Sequence, residues 1–329
     1  MQHSNLNGVN LGGWLVLEKW MTPSVFAGTN AEDEYTFMNT PDALIKLNRH
    51  RKTFITELDF AWLAAHEITA VRIPVGYWLL DGDVPYAPGA EYLDWAFDMA
   101  QKYTIRVLLD IHGLPGSQNG NDHSGQIGRA EWQHNKNFRI QSLHAVEAFA
   151  KRYGSHPALW GIEIINEPNS AAFQFALRSY YRRAYRLLDR TLPSEVKIVY
   201  SDAWSPRIFA FSLLGRERAV MDVHLYHMAT LRAKSHSLDW YYRKMTRRVR
   251  MLKRISRLHP IIIGEWSGVI SGETIGTLPK NDADQLQYAH FKFQKEQYAQ
   301  FAGSFYWNYK TEGTQGVSYW DYRSIVDNQ

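Results

Sequence analysis

Cysteine is absent from all 329 residues of this chain. The protein therefore forms no disulfide, holds no metal through thiolate and uses no cysteine nucleophile. A chain of this length can bury a substantial core without covalent cross-links. The absence is compatible with either a reducing or an oxidising compartment.

Long hydrophobic runs are absent as well. No apolar stretch approaches the ~20 residues that are needed to cross a bilayer. The first ten residues, MQHSNLNGVN, contain no basic segment followed by an apolar one, so no signal peptide is expected. The compartment stays open between the cytoplasm and export with the signal already removed.

Acidic residues are absent from Trp240 to Gly264, in a chain whose formal net charge is +4. Lysines and arginines are concentrated there, between positions 243 and 257. The spacing of Met245, Val249 and Leu252 predicts an amphipathic helix whose basic face is solvated. The alternative is a weak contact between this face and an anionic polymer or membrane surface. We expect no nucleic-acid partner and a monomeric protein.

Short apolar strands alternate with longer helical patterns along the whole chain, which predicts an α/β protein with a parallel sheet. Eight such repeats favour a single (β/α)8 TIM barrel over residues 1–329. A doubly wound sheet is the competing architecture, but the glycine-rich GVNLGG is not followed by a clear helix. The predicted strands are 6–13, 69–75, 105–112, 159–166, 196–201, 219–226, 261–265 and 303–309, and the predicted helices are 54–65, 92–103, 138–153, 171–190, 209–214, 238–258 and 282–301.

Two of the predicted strands end in a glutamate. GIEIINEPN, residues 161–169, places Glu167 after a buried strand, and PIIIGEWSG, residues 260–268, places Glu265 at the end of another. A carboxylic acid at the mouth of an apolar strand is costly unless it is paired or takes part in chemistry. Two carboxyl groups that face each other across a sugar are what glycoside hydrolysis requires.

Other polar and aromatic side chains also fall near the carboxyl ends of predicted strands, where barrel enzymes carry their chemistry. One buried Arg is most often part of a core ion pair, and one buried His is most often a hydrogen-bonded core residue. A set of this size at the ends of six strands is difficult to assign to packing. The set comprises Arg72, His112, Asn166, Glu167, His224, Tyr226, Glu265 and Trp307.

The stretches around these residues resemble glycoside hydrolase family 5, and within it the fungal exo-β-1,3-glucanases most closely. NEP alone is moderately specific, whereas the full set in this order is strongly specific. The resemblance implies a retaining β-glucoside hydrolase, most closely an exo-acting glucan 1,3-β-glucosidase, with no cofactor and no metal. The shared stretches are GVNLGGWLVLEKWMTPS at 8–24, VRIPVGYW at 71–78, DIHGLPGSQNG at 110–120, GIEIINEP at 161–168, GEWSG at 264–268 and YWNYKTE at 306–312.

The resemblance also implies a role for each matching residue. Glu167 would be the general acid/base and Glu265 the nucleophile. Glu265 would be ionised beside Arg72, whereas Glu167 must hold a proton, so we expect its surroundings to raise its pKa. The remaining roles are a hydrogen bond from Asn166 to the sugar 2-hydroxyl, a hydrogen bond from Tyr226 to Glu265, a place for His224 beside the acid/base, a floor under the sugar from Trp307, and a grip on outer hydroxyls by Glu18, His112 and Asp122.

The sequence departs from the family pattern at two aromatic positions. The fungal enzymes have a Phe where this chain has Asn121, and a second Phe where it has Ala229. These Phe side chains clamp the leaving-group sugar in the family. The segment 269–282 is also short. We therefore expect a wider or differently lined entrance.

The sequence is also compatible with other functions. An endo-β-1,4-glucanase would need an open cleft, and the sequence does not show whether the long loop 113–133 closes one end of it. The altered entrance and the basic helix leave open a β-glucosidase with another aglycone, such as a glycolipid. A non-catalytic sugar-binding barrel would have no use for two glutamates with their supporting residues. His224 and His227 are three residues apart, but the sequence offers no third metal ligand.

Overall fold

The computed structural model describes residues 5–169, 174–227, 237–276, 278–312 and 317–328. Eight parallel strands follow one another in chain order and close into a barrel, with the last strand hydrogen-bonded to the first. The predicted (β/α)8 barrel is confirmed. The strands are β1 Leu6–Asn10, β2 Ala70–Gly76, β3 Arg106–Gly113, β4 Leu159–Glu163, β5 Lys197–Ser201, β6 Ala219–Leu225, β7 Ile261–Trp266 and β8 Gly303–Tyr306.

Helices connect the strands on the outside of the barrel. The helix at 43–53 was not predicted, because its buried face includes the polar residues His50 and Arg51 and shows no simple apolar period. The first residues of the helix predicted at 171–190 lie outside the described ranges. The helices are α1 Glu34–Phe37, α2 Ala43–Thr53, α3 Glu57–Ala65, α4 Ala90–Lys102, α5 Lys136–Tyr153, α6 Gln174–Thr191, α7 Pro206–Phe209, α8 Leu238–Ile255, α9 Gly272–Ile275, α10 Lys280–Tyr298 and α11 Tyr322–Asp327.

Three strands end three residues earlier than predicted, and the difference places site residues in loops. β1 ends at Asn10, β4 at Glu163 and β8 at Tyr306. Asn166 and Glu167 therefore follow β4 rather than end it. The apolar character continues past the last ladder residue, since Ile164 and Ile165 are fully buried. Hydrophobicity alone does not mark where the ladder stops.

The barrel interior is built in layers, because alternate residues of each strand point inward. Ala70 and Leu108 belong to a buried apolar cluster. Two residues further along the same strands are Arg72 and Asp110, which are fully buried as well. A charged layer thus lies directly on the apolar one. The buried members of the apolar cluster are Ala70, Leu108, Val199, Val220, Ile262 and Phe305.

An extra residue in β7 turns Glu265 toward the barrel axis. Asp222 pairs with Ile262 but His224 pairs with Glu265, so β7 advances three residues while β6 advances two. Such a bulge re-aims the side chain that follows it. Gly264 lies in the bulge, where an added Cβ would be only 1.9 Å from Asp222 Oδ2. Only glycine allows this close approach.

The basic segment forms the amphipathic helix α8. Met245, Val249 and Leu252 are buried, as predicted, and the N-terminus is capped by the Ser237 side chain. No helix among the described residues is long and apolar enough to span a bilayer.

Candidate active site

Arg72, on β2, is the centre of the charged layer and is fully buried. Its Nε donates to Glu163 Oε2 at 2.9 Å, and its Nη2 lies 3.1 Å from Asp110 Oδ2. Its Nη1 donates to Asn10 Oδ1 at 3.0 Å and to Glu265 Oε1 at 2.9 Å. Burial acts to lower the pKa of Arg72, but the surrounding carboxylates outweigh burial and raise it. The guanidinium is therefore a permanent cation beneath the pocket.

Besides Glu265, three buried acids surround Arg72, and not all of them are charged. Burial raises the pKa of Asp110 to about 7 and that of Glu163 well above its ordinary value, although Arg72 opposes both shifts. Burial also acts to raise the pKa of Asp222, but His224, Arg72 and a hydrogen bond from Glu163 lower it overall. A protonated Glu163 that donates to an ionised Asp222 accounts for both directions. The layer thereby avoids several unpaired charges in one buried space.

Both carboxylate oxygens of Glu265 are hydrogen-bonded. Tyr226, the first residue after β6, donates its hydroxyl to Oε2 at 2.7 Å, and Arg72 donates to Oε1. Burial raises the pKa of Tyr226 well above its usual range, so the hydroxyl stays a donor. These contacts fix the orientation of the Glu265 carboxylate in the pocket.

Glu167 is held in an unusual backbone conformation after β4. Its φ is +42°, in the left-handed region that residues with a side chain seldom occupy. Strain of this kind persists where surrounding contacts determine it. Two such contacts are visible: Asn119 Nδ2 donates to the Glu167 carbonyl at 3.1 Å, and His224 Nδ1 lies 2.6 Å from its Oε1.

The prediction that the surroundings of Glu167 raise its pKa is wrong. Burial acts in the expected direction, but the hydrogen bond and positive charge of His224 outweigh it and lower the pKa to about 2. Burial lowers the pKa of His224, while Glu265, Asp222 and Glu167 raise it well above 6.5 overall. The pair thus shares one proton, which is carried by the imidazolium.

The two glutamates are close enough to act on one atom. One carboxylate oxygen of Glu167, one of Glu265 and one ring nitrogen of His224 all lie within 4.8 Å of one another. A retaining mechanism needs carboxyl groups about 5–5.5 Å apart, whereas an inverting one needs about 6.5–9.5 Å to admit a water. The geometry fits direct attack by one carboxylate on a sugar carbon.

Asn166 and His112 form a polar side of the same pocket. Arg72 Nη2 donates to Asn166 Oδ1 at 2.9 Å, and Asn166 Nδ2 lies 3.4 Å from His112 Nε2. His112 Nδ1 is 2.6 Å from Asp110 Oδ2. Burial lowers the pKa of His112 well below 6.5, so the ring is neutral and shares one hydrogen bond with Asp110 through Nδ1.

The end of the pocket opposite β5 is enclosed by acids and tryptophans. Trp20 Nε1 donates to Glu18 Oε2 at 2.9 Å. Burial, reinforced by the charge of Asp122, raises the pKa of Glu18 well above its ordinary value, so Glu18 can both donate and accept. Trp20 and Trp320 pack edge to face with ring centroids 5.2 Å apart. The pocket has a volume of about 410 Å³, at the small end of the range for ligand sites.

The long loop 113–133 is tied to the barrel by side-chain hydrogen bonds. Gln118 Nε2 donates to the carbonyls of His112, at 2.6 Å, and of Asn166, at 3.0 Å. The Ser117 and Ser124 hydroxyls lie 2.6 Å apart and close the turn that carries Asp122. The loop is therefore a rim that holds Asp122 at the pocket.

All the predicted site residues lie in or directly beneath this pocket. Eight line it, Arg72 lies below it, and His224 stands behind Glu167. Asn121 lies just before the Asp122 turn, and Ala229 is outside the described residues. Prediction missed Trp20, Trp204, Trp320, His123 and the buried acids Asp110, Glu163 and Asp222. Arg72 and Asp110 lie two residues after the apolar Ala70 and Leu108, and this spacing could have indicated the charged layer. No sequence pattern indicates that the three tryptophans line the pocket. The lining residues that were predicted are Glu18, His112, Asp122, Asn166, Glu167, Tyr226, Glu265 and Trp307.

Among the residues that the structure describes, two groups of side chains could bring three ligand atoms to a cation. One is Glu167, His224 and Glu265, and the other is Glu163, Asp222 and His224. Arg72 already places a positive charge 2.9 Å from both Glu163 and Glu265, and this charge would repel a metal ion. The donor set suits proton sharing better than metal binding.

Comparison with known proteins shows one family across most of the chain. A family model described as cellulase (glycosyl hydrolase family 5) matches residues 34–313. The chain is 32% identical to a probable glucan 1,3-beta-glucosidase A of Aspergillus niger, over 98% of this chain and 86% of that protein. It is 31% identical to a glucan 1,3-beta-glucosidase of Blumeria graminis, over 94% of this chain and 83% of that protein.

Solved structures share the fold. A rutinosidase from Aspergillus niger superposes with a TM-score of 0.78 at 23% identity, covering 98% of this chain and 97% of that one. Cel5A of Thermotoga maritima in complex with cellobiose gives a TM-score of 0.62 at 16% identity, covering 97% of this chain and 92% of that one. At these identities the likeness concerns the barrel.

Proposed function

Because this chain belongs to glycosyl hydrolase family 5, we propose that it is a retaining, exo-acting glucan 1,3-β-glucosidase. It would release glucose from β-1,3-glucans or oligosaccharides by double displacement. The observation that carries the proposal is the pair of glutamates whose oxygens lie within 4.8 Å of each other. The relatives' names support the β-1,3 linkage.

In the first step Glu265 acts as the nucleophile. One of its oxygens attacks the anomeric carbon while the bond from that carbon to the leaving oxygen breaks, which yields a glycosyl ester on Glu265. Glu167 gives its proton to the leaving oxygen. That proton reaches Glu167 from His224 Nδ1, 2.6 Å away. Attack consumes the negative charge on Glu265, which is the largest contribution that raises the pKa of His224.

In the second step the same groups hydrolyse the ester. Glu167, now a carboxylate, removes a proton from a water molecule as that water attacks the anomeric carbon. The bond between the sugar and Glu265 breaks, and glucose leaves with a hydroxyl of the original configuration. Tyr226 and Arg72 donate hydrogen bonds to Glu265, and these bonds stabilise its carboxylate as the negative charge returns.

The pocket supports the charged transition state from two sides. Asn166 is oriented by Arg72 and would hydrogen-bond the 2-hydroxyl, a contact that strengthens as positive charge develops on the ring. Trp307 stacks in parallel on His112, with centroids 5.7 Å apart, and would form the floor under the sugar. An added Cβ on Gly12 would lie 2.7 Å from the Trp307 ring, so this glycine lets the floor sit close to the barrel.

Exo action follows from the closed end of the pocket. Glu18, Asp122, Trp20 and Trp320 line one end of the pocket, where they would block further sugars on the non-reducing side. A pocket of about 410 Å³ is small for the open cleft of an endo-acting enzyme. The second candidate is a β-glucosidase with another aglycone, which is favoured by the loss of Phe at Asn121.

A product time course on laminarin beside carboxymethyl cellulose tests this assignment. We expect glucose alone from laminarin from the first minutes and no product from carboxymethyl cellulose, because the blind end admits one terminal sugar. Chromatography of early samples resolves the products. A ladder of oligosaccharides would mean an open cleft and would overturn the exo assignment.

The proton shared by Glu167 and His224 predicts a pH effect. In the wild type, kcat/KM on an aryl β-glucoside should fall on the alkaline side when the pair loses its proton. In His224→Asn the cation that lowers the Glu167 pKa is gone and burial still raises it. Glu167 then titrates by itself, as a carboxyl rather than an imidazolium, so the alkaline limb should move to lower pH by about one unit or more.

The exposed His144 on α5 offers a matched control. His144→Asn should leave both limbs of the pH profile in place. An alkaline limb that stays unmoved in His224→Asn would show that the catalytic proton is not stored on this pair.

A further inference from the structure

A second cavity lies beside the substrate pocket, beyond Trp204. Its volume is about 760 Å³. Trp204, His224 and Tyr226 line it, and Trp204 and Tyr226 also line the substrate pocket, so the two spaces share a wall. Trp204 follows β5 with its side chain half exposed, and its ring stands perpendicular to that of His224 at 6.2 Å. The two spaces are therefore adjacent, with Trp204 at their common boundary.

Basic side chains line the cavity, and none of the described lining residues is acidic. Trp240, Lys244 and Arg248 are four residues apart in sequence and so share one face of α8. Lys244 Nζ lies over the Trp240 ring, 4.8 Å from its centroid. The cations that line the cavity are Arg207, Arg243, Lys244, Arg247 and Arg248.

Most of this positive charge has no compensating acid. Within the described ranges, only Arg243 of the five forms an ion pair, with Asp239 one turn earlier. Arg248 Nε is buried and has no hydrogen-bond partner among the described residues. Burial raises the pKa of Asp202 to about 7, although Arg248 acts to lower it. This acid therefore carries only part of a charge near neutral pH.

The crowding of cations in this cavity is unfavourable. Burial and the charge of Arg248 lower the pKa of Lys244. Like charges one turn apart on a helix destabilise it. A bound anion would remove this repulsion and supply the missing acceptors.

The cavity lies on the leaving-group side of the reaction. Residues that follow β1, β3 and β8 enclose the glucose end, whereas residues of the β5–β6 region form the wall with Trp204. These two groups of strands lie on opposite sides of the closed barrel, with Glu167 and Glu265 between them. With the glucose at the first of these sides, the group released from the anomeric carbon would depart toward Trp204.

We propose that this basic cavity binds a phosphate-class oxyanion carried by the leaving group of the substrate. The inference rests on the proposed function, since it assigns the aglycone of the same hydrolysis. A phosphate monoester brings nearly two negative charges and three acceptor oxygens, and guanidinium groups match such oxygens in a bidentate fork. A neutral glucan would leave the cations without partners.

A matched pair of substrates tests the proposal: β-glucosylglycerol and the same glycoside phosphorylated on glycerol. We expect the wild type to show a kcat/KM at least about tenfold higher for the phosphorylated substrate. In Arg248→Gln, and separately in the more exposed Arg247→Gln, the ratio of the two values should fall by about tenfold. A wild-type ratio near one would overturn the proposal.

Arg254→Gln is the control on the same helix, because Arg254 is exposed and does not line the cavity. It should leave the ratio at the wild-type value. Inorganic phosphate should raise KM for the phosphorylated glycoside alone. An equal effect of phosphate on both substrates would identify a site for a free effector anion. In another case the protein sediments with anionic phosphatidylglycerol vesicles, and Arg247→Gln abolishes sedimentation and leaves the ratio of the two kcat/KM values unchanged. That result would identify a membrane surface as the partner. Either outcome would overturn the substrate assignment.

Failure of the proposed function is separable from failure of this site. Glucose release from laminaribiose and from the neutral glycoside tests the hydrolysis. Calorimetric titration of glycerol phosphate into the Glu265→Ala protein tests the cavity without turnover. We expect glycerol phosphate to bind the Glu265→Ala protein and not the protein that also carries Arg248→Gln. If the Glu265→Ala protein does not bind glycerol phosphate, the proposed site is wrong.

Discussion

Glu265→Ala is expected to abolish turnover, with kcat lower by roughly 10⁵-fold, or about 7 kcal/mol of transition-state stabilisation. The methyl group cannot form the glycosyl ester, and no other carboxylate that lines the pocket is held by both Tyr226 and Arg72. Steady-state release of nitrophenol from an aryl β-glucoside measures the loss. Thermal unfolding should show a folded protein, because Arg72 keeps its contacts with Glu163 and Asp110.

The control for this substitution is Glu273→Ala. Glu273 lies on the short helix α9 that follows β7, and its side chain is exposed and outside the pocket. Its kcat should equal that of the wild type within experimental error. A Glu265→Ala protein that is folded and retains wild-type turnover would refute the nucleophile assignment and, with it, the double-displacement mechanism.

The effect of Glu167→Ala is expected to depend on the leaving group of the substrate, because the leaving group determines which of the two steps the substitution slows most. With laminaribiose, whose leaving oxygen needs a proton, kcat/KM should fall by roughly 10³- to 10⁴-fold. With a dinitrophenyl β-glucoside the first step needs little protonation, so hydrolysis of the ester becomes slow instead. Azide needs no general base and fits the space left by the carboxyl group, so it should restore turnover and yield β-glucosyl azide.

Retention of the β configuration in the azide product is the decisive measurement, and proton NMR of the anomeric centre provides it. An α-glucosyl azide would indicate single displacement and contradict the roles given to both glutamates. Glu131→Ala, at an exposed position of the long loop, is the matched control. It should show neither the leaving-group dependence nor the azide effect.

Local sequence determined which segments form strands and which polar residues come after them, but not the residue at which each strand ends. Runs such as IIIG in 261–264 and IEII in 162–165 must be buried, and parallel strands are the arrangement that buries them on both faces. Glu167 and Glu265 stand out because a carboxyl group is costly at the end of such a run. The eight-strand barrel and the location of the site at its carboxyl end followed from these patterns. The likeness of the motifs to family 5 added the roles.

Tertiary structure alone decided the protonation state and the shape of the site. The Glu167 pKa falls because His224, 57 residues away in sequence, lies 2.6 Å from it in space. Burial by itself gives the opposite sign. The extra residue in β7 that aims Glu265 inward is visible only in the pairing register. The basic cavity likewise exists only because α8 packs beside Trp204. Coulomb energies and hydrogen bonds depend on distances between strands, whereas sequence periodicity reports only which face of each strand is buried.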